Sequence, residues 1–201
     1  MQTSRLEAFS DGVLAIIITI MVLELKVPQL TSIEGLKPVL PVLCSYILSF
    51  LYVGIYWNNH HHMFHSTKHV TGRIMWANLH LLFWLSLLPF TTAWAGENHL
   101  AKVPTAVYGT VLLMAALAYY LLQSSIIAEQ GPGSILAKAV GNDWKGKISP
   151  IIYFIAVLLA FVSPLISSGL YVLVALIWLV PDPRIERVLI ERPREKGELG
   201  K

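Results

Sequence analysis

The stretch RLEAFSDGVLAIIITIMVLEL, residues 5–25, decides the fold. From Gly12 to Leu23 it carries no charge, and Thr19 is its only polar side chain. A bilayer core about 30 Å thick needs roughly 20 apolar residues to cross it as a helix. Leu6 to Leu25 meets that length and stops before Pro28. At about 100° per residue, Phe9, Ile16, Ile20 and Leu23 fall on one narrow stripe, with Thr19 beside it and Arg5 at its end. Glu7 and Asp11, four residues apart, share the opposite face. Carboxylates near a membrane are costly unless paired or wetted. Glu7 and Asp11 are therefore expected to point into the subunit's own bundle, and the apolar stripe elsewhere. Spacing alone leaves lipid, another subunit and a pore equally open to it.

The rest of the chain has the same character. Of its 201 residues 55% are apolar and 13% charged, with a mean hydropathy of +0.62. Soluble domains carry about a quarter charged residues, so the solvent for most of this chain is lipid. A single cysteine, Cys44, excludes a disulfide framework within one chain. Arg5 is offset by Glu7 and Asp11, and Glu24 and Lys26 follow where small residues would mark a cleavage site. The first segment is thus expected to stay in the mature protein.

Further spans are predicted over Leu36–Asn59, Arg73–Trp94 and Pro104–Glu129. The polar stretch holding Gly131, Pro132, Gly133, Gly141, Asn142 and Asp143 reads as a loop. From Ser149 to Val180 the chain is too long for one straight span. Pro164 and Ser167-Ser168-Gly169 offer a tight hairpin between two short helices; the rival is five spans with one kinked helix. The expected fold is an all-α membrane protein, with a six-helix transmembrane domain over residues 1–181 and a charged cytoplasmic tail over 182–201.

Charge placement orients it. With the N-terminus inside, Arg5, Lys68, Arg73, Lys138, Lys145, Lys147 and the tail's six basic residues are cytoplasmic, and Lys26, Lys37 and Lys102 are outside. That is twelve against three. The net charge of +3 reflects this bias, and nucleic acid is not an expected partner.

The second helix ends and the third begins at the level of Asp11. Trp57, Asn58, Asn59, His60, His61 and His62, then Trp76, Asn78 and His80, supply donors there. A polar knot joining the first three helices is expected, with Arg5 adding a fixed charge.

This arrangement resembles the transmembrane protein 175 family of potassium channels. Arg5, then three variable positions, then Phe9-Ser10-Asp11 match its signature, and the cluster after Trp57 and the Trp76–His80 stretch resemble its second and third helices. The resemblance implies a homotetramer in a prokaryotic inner membrane, with both termini cytoplasmic. It implies a central pore lined by the first helix, with Ile16, Ile20 and Leu23 as constriction and filter and a hydroxyl from Thr19 nearby. Arg5, Phe9, Ser10, Asp11, Trp76, Asn78 and His80 form the implied network holding that helix. No TVGYG-like loop is present, so a carbonyl filter is not expected. The implied permeant ions are potassium, rubidium and caesium, with no cofactor.

Other chemistries fit less well. His61 and His65, four apart, have metal-ligand spacing, and the histidine cluster has the chemistry of a pH sensor. A proton-coupled transporter using Asp11, Glu7 and His80 would need discontinuous helices or inverted repeats. An enzyme is not expected: HExxH, GxSxG and paired intramembrane aspartates are all missing.

Overall fold

The computed structural model describes residues 2–67, 69–141 and 143–179. Lys68, Asn142 and the charged segment 182–201 lie outside the described residues. Every regular element among the described residues is helical.

The first helix, α1, runs Thr3–Leu23. A short 3-10 turn at Ile33–Leu36 leads to α2, Leu40–His65, with Pro41 in its opening turn. This helix runs a turn and a half past the predicted end at Asn59, because His60, Met63 and Phe64 on that extension are buried against the bundle. The third span, Gly72–Glu97, is broken into α3, Gly72–Ser86, and α4, Leu88–Glu97. The break at Leu87 lies two residues before Pro89, whose missing N–H and ring disfavour a continuous helix there. His99 and Leu100 take positive φ, 50° and 57°, and turn the chain into α5, Lys102–Gln130.

The segment expected to be a loop holds one short helix, α6, Ile135–Val140. Ser134 caps it by accepting the Ala137 N–H at 3.2 Å, and Gly141 ends it at φ 43°. Polar punctuation on both sides hid a six-residue helix whose side chains are apolar but for Lys138. The hairpin also falls elsewhere than expected. Helix α7, Trp144–Leu159, and α8, Pro164–Leu179, are joined by residues 160–163. Ser167-Ser168-Gly169 lies inside α8, because Pro164 occupies a first helical position, where its ring favours starting a helix. Each of these 16-residue helices is roughly 24 Å long at 1.5 Å per residue.

Helix α5 is the hub, packing against α3, α4, α7 and α8. Close approach to α8 is possible at Gly109, where a Cβ would overlap the Tyr171 ring. Polar ties run through this interior: Ser49 Oγ lies 2.6 Å from Thr92 Oγ1 and 3.0 Å from Tyr108 Oη, linking α2, α4 and α5. Tyr171 Oη donates to the Thr105 carbonyl at 3.2 Å. The outer surface is apolar, with Ile151, Phe154, Leu158, Phe161, Leu165 and Leu176 all exposed on α7, α8 and their turn. Helix α1 packs principally on α2, α3 and α4, at one side of the bundle.

Candidate pore-lining helix and its polar support

Helix α1 has two faces. Leu6, Ser10, Leu14, Ile17 and Met21, spaced four, four, three and four, are buried against its neighbours. On the other side Phe9 is 51% exposed, Ile16 58%, Ile20 44% and Leu23 78%. Thr19 is exposed beside them, its hydroxyl donating to the Ile16 carbonyl at 2.9 Å. That bond occupies the proton and leaves the oxygen lone pairs available outward.

Beneath the buried face a directional chain of hydrogen bonds ties three helices. Ser10 Oγ donates to the Leu6 carbonyl at 2.9 Å, so it accepts from Asn78 Nδ2, also at 2.9 Å. Asn78 Oδ1 then accepts from His60 Nε2 at 2.7 Å. The order of donors assigns the Nε2–H tautomer to His60, with Nδ1 bare and without a hydrogen-bond partner. Ser10, His60 and Asn78 are each 1% exposed or less. A buried chain of hydrogen bonds of this kind fixes the register of the three helices.

The carboxylates sit at the edge of this chain, half-buried, and both face α2. Asp11 Oδ1 accepts from Trp57 Nε1 at 3.0 Å, and Glu7 Oε1 lies 2.8 Å from His61 Nδ1. Of the other residues in the expected network, Arg5, Phe9, Trp76 and His80 are on the surface of the subunit. His80 accepts from Trp84 Nε1 on its own helix at 2.9 Å. Arg5 makes no ion pair with Glu7 or Asp11. The structure thus joins Ser10 directly to Asn78 and, through Asn78, to His60, pairs Asp11 with Trp57, and leaves Arg5, Phe9, Trp76 and His80 outside that chain.

Asp11, Glu7 and His80 have three separate partners, so no hydrogen-bonded relay joins them. The His61 and His65 rings stack with centroids 6.2 Å apart, and His61 faces Glu7. Among the described residues no group of three or more His, Cys, Asp or Glu is placed to hold a metal ion. Sequence reasoning missed the interior Ser49–Thr92–Tyr108 tie. Its signal was available, since hydroxyls in otherwise apolar spans seek partners within the protein.

An apolar exterior and helices long enough to cross a bilayer define an integral membrane protein built as a helical bundle. The chain belongs to the TMEM175 family: the family model described as "Endosomal/lysosomal potassium channel TMEM175" matches residues 5–89, and relatives extend the match along the chain. A protein of Chryseobacterium sp. strain P1-3, named a potassium channel, is 56% identical over 95% of this chain and 100% of its own length. A Streptomyces collinus protein, also named a potassium channel, is 38% identical over 60% of this chain and 63% of its own. A crystal structure described as a lysosomal potassium-selective channel TMEM175 homolog from Chamaesiphon minutus is 30% identical. It superposes with a TM-score of 0.76, covering 89% of this chain and 96% of that one.

Proposed function

We propose that this chain is the subunit of a potassium-selective channel in which four copies surround a pore lined by α1. The observation that carries the reading is the two-faced α1. Its buried face is anchored by Ser10, while Phe9, Ile16, Ile20 and Leu23 form an apolar row left largely exposed by the described residues of the same subunit. The names of the bacterial relatives support potassium as the ion. The surplus of basic residues on one side supports cytoplasmic termini in a prokaryotic inner membrane. With α7 and α8 each crossing, the count is six spans and both ends lie on the same side.

A ring of Ile16 side chains has no polar atoms to offer an ion, so it acts by excluding or stripping water. Potassium holds its hydration less tightly than sodium and loses less on entering such a ring. Four Thr19 oxygens restore part of what is lost. The outcome is moderate selectivity, shared by rubidium and caesium. The same rings at Ile20 and Leu23 close the path by dewetting.

Cysteine substitutions on α1, made in a Cys44→Ser background, test the lining. Thiol reagents are expected to block potassium flux through tetramers carrying Ile16→Cys, Ile20→Cys or Leu23→Cys, and to spare Leu14→Cys and Met21→Cys. Block from the buried positions, with none from the exposed ones, would place the path elsewhere.

A further inference from the structure

A second cavity, walled mostly by aromatic rings, lies away from α1. Helices α2, α5, α7 and the end of α8 surround a cavity walled by the rings of Tyr52, Tyr56, Tyr119, Tyr120, Tyr153 and Trp178. Its space is about 510 Å³ with the mouth included, and the enclosed part open to the centre of a water-sized sphere is about 40 Å³. At about 10–15 Å³ per water on that measure, the inner chamber takes a group of a few heavy atoms.

The wall holds three acceptors, the Asp143 carboxylate and the amide oxygens of Asn59 and Gln123, beside the hydroxyls of its tyrosines and Ser149. The hydroxyls of Tyr52 and Ser149 and the indole N–H of Trp178 already donate within the protein. Among the described residues Asp143 is the only charged side chain lining the cavity, and no Lys, Arg or His lines it. Its Oδ1 accepts the Gly146 N–H at 2.9 Å, which caps α7 and fixes the carboxylate in place. Asn59 spends its Nδ2 on the Ile55 carbonyl at 2.8 Å, which leaves its Oδ1 as an acceptor. Gln123 is 7% exposed and lines the same wall, with no hydrogen-bond partner for its carboxamide among the described residues. A buried primary amide is costly unless bonded. Ring faces carry the negative end of the aromatic quadrupole and attract cations.

We propose that this cavity binds a primary ammonium group. Its three N–H donors match Asp143, Asn59 Oδ1 and Gln123 Oε1, and the surrounding rings take its charge and first methylenes. The small chamber admits –NH₃⁺ and excludes a bulky quaternary head. Two sources present this chemistry: a soluble alkylamine, and the headgroup of phosphatidylethanolamine.

The test uses the full chain in phosphatidylcholine nanodiscs, following the thermal unfolding midpoint at fixed ionic strength. Butylammonium is expected to raise the midpoint saturably, whereas 1-butanol and tetramethylammonium do not. Asp143→Asn keeps an N-cap and removes the charge, and should raise the half-saturating concentration tenfold or more. Gln123→Met keeps the volume without the acceptor; it should also weaken binding, and it carries the test if Asp143→Asn does not fold. Ile16→Asn should leave the shift intact, separating this site from the pore. Loss of the butylammonium response on adding phosphatidylethanolamine assigns the site to the lipid headgroup; persistence assigns it to a soluble amine. Equal shifts with 1-butanol, no saturable shift, or undiminished binding in both cavity variants would overturn the proposal.

Discussion

Asn78 carries more of the structure than its size suggests, because both halves of its amide are used at once. Its Nδ2 holds Ser10 of α1 and its Oδ1 holds His60 of α2, with all three buried. Asn78→Leu preserves the volume but strands the His60 Nε2–H. A loss of about 1–3 kcal/mol is expected for that buried donor, read as a lower unfolding midpoint in detergent. Removing Ser10 instead, as Ser10→Ala, leaves one amide donor unpaired and should cost a similar amount. The Phe-Ser-Asp signature was legible in the sequence, yet its inner logic was not. Spacing put Asp11 on the side of the bundle, but the buried centre is its neighbour Ser10. Asp11 itself is half-buried and held by one indole. Four long spans could be read from hydrophobic length, because the bilayer sets that length physically. Which polar residue faces which helix depends on rotation about the axis, and an almost uniformly apolar helix records that rotation poorly.

At the scale of helices, close approach and end caps decide the packing. The α5–α8 contact depends on Gly109: the added methyl of Gly109→Ala would meet Tyr171, which also donates to the Thr105 carbonyl. Overpacking of about 1–3 kcal/mol is expected, visible as a lower midpoint that Gly109→Ala combined with Tyr171→Phe partly restores. Outside the membrane spans, Lys26 Nζ meets Glu97 Oε1 at 2.6 Å and ties the α1–α2 connection to the end of α4. The hydrogen bond and charge of Glu97 raise the Lys26 pKa above its ordinary 10.5. The folded-state value is the higher one, so the contribution is full below pH 10.5 and fades as pH rises through the raised value. Both side chains are well exposed, so Lys26→Met should lower the midpoint only slightly at neutral pH and not at all in high salt. The short helix α6 and the α7–α8 turn escaped the sequence because each is set by a local cap. Ser134 starts α6, and Pro164 begins a helix at a position where a proline reads equally well as a break.

At the scale of the molecule, the described residues leave the apolar row of α1 exposed on one side of the bundle. The cavity around Gln123 was not legible in the sequence, since its tyrosines come from helices far apart in the chain and read as ordinary apolar filling. The outward row on α1 was legible, because a stripe within one helix needs only helical periodicity. The proposed assignment of that row to a pore rests on family membership together with its exposure. The decisive measurement is the reversal potential under potassium against sodium for the purified protein in planar bilayers, with Ile16→Asn run beside the unaltered protein. The account predicts a potassium-favouring potential that moves toward zero selectivity in the variant, with the oligomeric state of the unaltered protein retained. An unchanged permeability ratio in Ile16→Asn, or no preference for potassium at the outset, would contradict it.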